Sequence, residues 1–208
     1  VFEDGIKRLA RVLDVENRQF ELVQELADNV ELPVQVTIAS GFPKGDKLEF
    51  ITQKVTELGA NQIWAFPGDW SVAKWDGKKL GKKVEKLEKI ALGASEQSKR
   101  NVVPSIQLFD KKVDFLAQLD QFDSIIVAYE ESAKEGEAAA LLQTVAGLEK
   151  GAKLLFIFGP EGGLSPAEIE SFEAKGAVLA GLGPRILRAE TAPLYALSAL
   201  SVLLELEK

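Results

Sequence analysis

Phe158-Gly159-Pro160-Glu161-Gly162-Gly163 and, some twenty positions later, Leu182-Gly183-Pro184-Arg185-Ile186-Leu187-Arg188-Ala189-Glu190-Thr191-Ala192 are the stretches on which the reading of this chain turns. The first ends Leu154-Leu155-Phe156-Ile157-Phe158, a continuous apolar run of the kind a strand buried on both faces requires. The second follows the short apolar segment 177–180. Each puts glycine, proline and charge at a strand's end. Between them, Ser165-Pro166-Ala167-Glu168 has the signature of a helix start, with proline in the first turn and glutamate three positions after serine. The spacing fits one strand–helix–strand unit, and in α/β proteins ligands bind in the crevice outside the carboxyl ends of the strands. The two loops predict a ligand held largely by backbone groups, with a few charged side chains beside it.

The same alternation runs upstream. Val34-Gln35-Val36-Thr37-Ile38-Ala39, Ile63-Trp64-Ala65-Phe66, Ser105-Ile106-Gln107-Leu108 and Ser124-Ile125-Ile126-Val127-Ala128-Tyr129 read as strands. Helical spacing predicts helices over 47–58, 78–98, 113–119 and 138–148, with an acidic loop before the last of these and a strongly apolar final helix over 193–206. Strands alternating with helices predict an α/β fold: a mostly parallel sheet covered by helices on both faces. Residues 1–31 differ. Their period-two pattern, with a turn at Glu16-Asn17-Arg18, predicts a hairpin, and Glu31-Leu32-Pro33 reads as a linker.

The 208 residues are 46% hydrophobic, enough for a substantial core, and carry a net charge of −7. No apolar run is long enough to cross a bilayer as a helix, so a soluble intracellular protein is the expectation. There is no cysteine, which excludes disulfides and thiolate chemistry within these residues. There is no histidine either, which removes the usual general base and the commonest metal ligand, and no metal site is expected. Methionine is absent even from position 1, so the expectation is a fragment whose beginning lies upstream. The acidic average conceals a basic stretch: 74–100 holds nine Lys/Arg against four Asp/Glu. Local basic surface, more than whole-chain charge, neutralises phosphates.

An ordinary strand-to-helix turn is the plain alternative for the first loop, and a surface loop with an incidental ion pair is that for the second. A phosphate-binding loop is excluded because no Gly-Lys-Ser/Thr follows, and the dinucleotide fingerprint fails on spacing.

The two loops, together with Lys44-Gly45-Asp46-Lys47-Leu48-Glu49, Gln53-Lys54, Thr56-Glu57-Leu58-Gly59-Ala60, Ser71-Val72, Lys74-Trp75-Asp76 and Glu96-Gln97-Ser98-Lys99-Arg100, resemble the RsmE family of 16S rRNA uridine-N3 methyltransferases, of the SPOUT class. The resemblance covers essentially 33–208. It implies a SPOUT methyltransferase domain over 33–208 with a C-terminal trefoil knot, through which the last helix threads. Before it, residues 1–32 would be the remnant of a PUA-like RNA-binding β-barrel. The implied cofactor is S-adenosylmethionine. Carried over by position, its pocket would be lined by Phe158, Gly159, Pro160, Glu161, Gly162 and Gly163 of the first loop. Leu182, Gly183, Pro184, Ile186, Leu187, Thr191 and Ala192 of the second would face them, and the strand end at Ala128-Tyr129-Glu130 would supply Tyr129 as a third wall. The implied partners are 16S rRNA in the 30S subunit and a second copy of the chain, a homodimer through the knot region. The implied setting is the cytoplasm, with neither membrane nor metal.

Uridine N3 carries a proton, and the neutral base is a poor nucleophile, so the site has to accept that proton or stabilise the anion. The candidates are Glu161 and Glu190 as acceptors and Arg185 and Arg188 as anion stabilisers. Arg188 is expected to steady the uridine anion or a flanking phosphate, with Arg185 and Glu190 shaping the loop. Lys74, Lys78, Lys82, Gln97, Ser98, Lys99 and Arg100 are the expected RNA-facing residues, against the plain reading of a solvated helix face. Trp75 is expected to pack on its own domain. Two rival functions stay open at this point: a donor-binding RNA module without catalysis, and a nucleotide-binding α/β enzyme.

Overall fold

The strands of the main sheet are short and mostly apolar, and those of its interior are buried along most of their length, which is stable only when both faces are covered. The computed structural model describes residues 6–27, 29–75, 77–129 and 138–206, with backbone only for Ala138 and Ala139. It holds six such strands in one parallel sheet: β3 (Gln35–Gly41), β4 (Gln62–Phe66), β5 (Ser105–Leu108), β6 (Ser124–Ala128), β7 (Lys153–Phe158) and β8 (Val178–Ala180), in the order β5-β4-β3-β7-β6-β8. The connecting helices are α1 (Lys47–Glu57), α2 (Gly77–Gln97), α3 (Lys112–Leu116), α4 (Ala138–Ala146), α5 (Pro166–Glu173) and α6 (Thr191–Ser201). The acidic loop expected before α4, and Glu130 with it, lies outside the described residues.

Alternate side chains of one strand enter different cores. Leu154, Phe156 and Phe158 of β7 pack with Ile51 and Val55 of α1, Leu141 and Val145 of α4, and Leu197 and Leu200 of α6. Leu155 and Ile157 point the other way, into a cluster with Phe115 of α3 and Ile169 and Phe172 of α5. Aromatic rings fill that second layer: Phe66 stacks on Phe115 at 4.3 Å, and the Trp64 ring meets Phe109 edge-on at 5.2 Å. A third cluster, Phe42, Leu48, Ala65, Leu80 and Leu87, seats α2 beside α1.

Residues 7–26 form the expected hairpin, β1 (Lys7–Asp14) paired antiparallel with β2 (Gln19–Leu26), as a separate two-stranded sheet. Asp14 accepts from the backbone N–H groups of Glu16 and Asn17, which closes the turn. Large apolar side chains of the hairpin stand in solvent, among them Val12, Leu13 and Phe20.

Two expectations are corrected here. Glu31-Leu32-Pro33 is not a bare linker: Leu32 is buried, and Glu31 accepts from the backbone N–H groups of Asn101 and Val102 at 2.8 and 3.2 Å. Arg100 does not face RNA. It is buried and paired with Glu31, and it donates to the carbonyls of Thr56 at 3.1 Å and Ala60 at 2.5 Å. A guanidinium with five donors ties the end of α1, the end of α2 and the segment before β3 into one knot of hydrogen bonds. Burying a charge unpaired is expensive, and here Nε, Nη1 and Nη2 of Arg100 each meet an acceptor.

Candidate active site

The carboxyl ends of β3, β7, β6 and β8 lie side by side: Ser40 is in register with Phe158, Val127 with Ile157, and Ala128 with Ala180. The segments leaving these strands form one surface, and the loops 158–163 and 182–192 meet there. The first leaves β7 and is pinned to β3. A Cβ on Gly41 would come within 2.5 Å of Pro160 Cδ, so only glycine lets the loop lie this close to the strand. Its far end feeds α5, capped by Ser165: the side chain accepts from the Glu168 N–H at 3.2 Å while Glu168 accepts from the Ser165 N–H at 2.9 Å.

Lys47 binds the two loops together. Its ammonium sits 2.9 Å from Glu161 Oε1 in the first loop and 3.1 Å from Glu190 Oε2 in the second. Glu161 also accepts from the Lys44 backbone N–H at 3.0 Å. Burial pushes the Glu161 carboxyl up, but the hydrogen bonds from Lys47, from its own N–H and from Lys44 outweigh it and leave the group below the ordinary carboxylate range. Glu190 behaves the same way: burial raises it, and its own N–H, Lys47 and the nearby Arg188 charge bring the net down. Lys47 is raised in return by its hydrogen bonds to Glu161 and Glu190. Both carboxylates are therefore held ionised against a cation, which makes them structural ligands of Lys47 and weak proton acceptors.

The loops enclose a cleft of about 690 Å³, within the range of small-molecule sites. Its walls include Tyr129, the loop from Phe158 to Gly163, Ile186, Leu187, Arg188 and Ala192. A smaller recess of about 110 Å³ adjoins it, with Leu182, Gly183 and Arg185 added to the shared Tyr129, Ile186, Leu187 and Ala192. Most of the expected wall thus converges on one place. Pro184 and Thr191 line neither lobe, and Glu190 stands behind the wall, on Lys47. Arg188 lines the larger lobe and Arg185 the smaller, both exposed at the surface.

Beyond Leu164, Pro166 and Ala189, which continue the expected loops, two wall residues from elsewhere in the chain are new. Lys47 carried a visible signal: a lysine in the first position of a helix opposes the helix dipole unless carboxylates meet it. Trp70, on the turn after β4, lines the larger lobe and packs on Gly162, where an added Cβ would come within 2.9 Å of Trp70 Cβ and 3.1 Å of its carbonyl oxygen. The turn is braced from behind. Asp69 pairs with Lys112 and accepts from Ser165 Oγ at 2.5 Å, and its N–H donates to the buried Glu168 at 3.0 Å. The Lys112 and Ser165 hydrogen bonds hold the Asp69 carboxyl below its usual range.

The expected RNA-facing residues divide between the two ends of α2. Lys74, Lys78 and Lys82 are exposed before and along its first half, while Gln97 and Lys99 are exposed at its end, with Ser98 half-buried and its hydroxyl donated to the Ala94 carbonyl at 2.7 Å. The 21-residue helix separates the groups by about 30 Å at 1.5 Å per residue. Trp75 packs on Phe42 at 4.4 Å with the Lys83 ammonium over its ring at 4.2 Å. Among the described residues no group of carboxylates is arranged to hold a metal ion, and no helix is long and apolar enough to cross a membrane.

Residues 30–201 match the model of an RNA methyltransferase domain. The chain is 54% identical over 179 residues to a ribosomal RNA small subunit methyltransferase E of Bacillus subtilis, covering 86% of this chain and 70% of that protein. Among solved structures, a putative methyltransferase from Legionella pneumophila in complex with S-adenosylmethionine superposes with a TM-score of 0.76 at 28% identity, over 96% of this chain and 80% of that one. A ribosomal RNA small subunit methyltransferase E from Neisseria gonorrhoeae bound to S-adenosylmethionine superposes with a TM-score of 0.72 at 27% identity, over the same shares.

Proposed function

This chain belongs to the ribosomal RNA small subunit methyltransferase E family, and from that premise we propose that it transfers the methyl group of S-adenosylmethionine to N3 of one uridine in 16S rRNA. The observation that carries the reading is the convergence of the two loops on one two-lobed cleft at the carboxyl edge of the sheet, held shut from behind by Lys47.

The cleft suits the donor. Its walls are largely backbone and apolar side chains, with Ile186, Leu187 and Ala192 beside the glycine loop, as an adenosine needs, and the charged residues Lys47, Glu161 and Arg188 also line it. The backbone of 158–163, the segment Leu182–Leu187, Tyr129 and Ala192 would hold the donor, whose sulfonium supplies an electrophilic methyl group when bound. The remaining chemistry falls to the chain. Arg188 stabilises the negative charge that develops on the uracil as its N3 proton leaves, which lowers the barrier without a histidine. Glu161 and Glu190 stay ionised on Lys47 and fix the loops, so proton removal is assigned to solvent and the anion's stability to Arg188. Arg185 shapes the smaller lobe.

We read the two loops and α6 as the trefoil knot of the SPOUT class. Support comes from a parallel sheet in which β7 lies between β3 and β6 with β8 at the margin. We read residues 1–32 as part of a PUA-like barrel, supported by a hairpin whose apolar side chains stand in solvent on both strands. Half-exposed Tyr195 and Val202 on and beyond α6 support a homodimer through this region. Lys74, Lys78 and Lys82 would meet the phosphate backbone of an rRNA substrate in the cytoplasm.

Calorimetry and a transfer assay test the reading together. S-adenosylmethionine is expected to bind and ATP not to, and labelled methyl is expected to appear in 30S subunits lacking this modification. Binding of ATP without binding of the donor would replace the proposal with a nucleotide-dependent enzyme. Donor binding without transfer by the full-length protein would reduce it to a binding module.

A further inference from the structure

We propose that the Trp70 indole is the platform on which the target base stacks when it enters the cleft, an inference that rests on the methyltransferase reading above. The chain has three tryptophans, and their surroundings differ. Trp64 is buried and meets Phe109, Phe115 and Phe122 edge-on. Trp75 lies against Phe42 under the Lys83 ammonium. Trp70 is 49% exposed, pairs with no other ring among the described residues, and lines the cleft.

Its exposure is enforced by the turn that carries it. Gly162 lies against its Cβ and carbonyl and Gly163 beside the indole's Cε3–Cζ3 edge, so the first loop backs the residue and fixes where the ring stands. Asp69 is tied to Lys112, Ser165 and Glu168, and the Ser71 N–H donates to the Gly68 carbonyl at 3.0 Å while Ser71 Oγ accepts from the Gly68 N–H at 3.2 Å. Leaving so large an apolar side chain half in water gives up burial at roughly 25 cal/mol per Å². A rigid support that keeps it there points to a ligand that covers it.

The position puts Trp70 in the lobe that holds the group assigned to the base. Trp70 lines the larger lobe and not the smaller recess; at about 690 Å³ that lobe has room for a base beside the donor, and it carries Arg188, the group assigned to the uracil anion. A base offered for N3 chemistry has to leave its own stack, and an aromatic face restores the stacking it loses.

The test compares Trp70→Ala and Trp70→Phe in the full-length protein. Stacking on an aromatic side chain predicts a 30S KM about 5- to 100-fold higher for Trp70→Ala, and a Trp70→Phe enzyme within roughly three-fold of the parent. Donor affinity and oligomeric state should stay unchanged in both. Donor affinity falling while the 30S KM holds, a lost dimer, or Trp70→Phe as impaired as Trp70→Ala would each overturn the platform. A second readout needs no turnover: a short uridine-containing single-stranded RNA should quench the parent's tryptophan fluorescence, and Trp70→Phe should abolish that quenching. Absence of quenching sinks this inference. Quenching without methyl transfer by the parent would instead sink the methyltransferase reading and leave the platform standing.

Discussion

Lys47 shows how one side chain can hold a site that it need not react in. It joins α1 to both loops through Glu161 and Glu190, and the three groups shift one another's ionisation in the expected directions. Because both carboxyls lie below their ordinary value of 4.5, the stability they add is fully present above that value. It is lost as pH falls through the depressed folded values. Urea denaturation between pH 7 and pH 3 should show this acid limb, and Lys47→Ala should flatten it. With all three groups partly exposed, a Lys47→Ala/Glu161→Gln cycle should give a coupling of only about 1 kcal/mol. Arg100 is the opposite case. Its removal strands Glu31 in a part-buried site, so Arg100→Ala should cost roughly 3–5 kcal/mol, a melting-temperature drop of about 10 °C. A surface RNA contact would leave the melt unchanged. The sequence signalled only that Lys47 needs carboxylate partners, not which ones, and it hid the role of Arg100. Lys47 meets partners more than a hundred positions away, and Arg100 sits at the end of a lysine-rich stretch whose charge suggested solvent.

At the scale of elements the sequence was more open. Leu154 to Phe158 reads most clearly as a buried strand and is one, and Ser165-Pro166-Ala167-Glu168 forms the capping box that its spacing predicts. Ser165→Ala should lower stability by about 1 kcal/mol through the lost cap, and more if Asp69 is left short of a donor. Thermal melts measure it. The final helix departs from expectation: regular α-helix ends at Ser201, and Val202–Leu206 continues as a wider turn, where Ser201 Oγ bonds Glu205 at 2.5 Å. Apolar spacing alone cannot distinguish the two windings. The glycine loop was read as a close backbone approach, and one of its close contacts, Gly162 against Trp70, is with a neighbour no local pattern reveals. Gly162→Ala would force a shift against the Trp70 backbone, costing about 1–3 kcal/mol of packing, and should weaken donor binding measurably in calorimetry.

For the whole molecule, the alternation of strands and helices announced a parallel α/β sheet, but not the strand order that brings the ends of β3, β7, β6 and β8 together. That order turns two loops twenty positions apart into facing walls and draws the β3–α1 turn in behind them. The basic residues of α2 are spread along a helix about 30 Å long, so they can track a phosphate backbone but cannot all serve one nucleotide. The central claim is that this cleft methylates one uridine of the small-subunit RNA with Arg188 as the anion-stabilising group. Its most direct test is mass mapping of 16S rRNA from cells lacking the gene, complemented with the full-length gene or its Arg188→Ala variant. The account predicts that one methyl disappears from a single uridine, returns with the parent gene, and stays absent or strongly reduced with a variant that still folds and binds donor. A full complement of uridine methyls in the deletion strain, or normal restoration by Arg188→Ala, would contradict it.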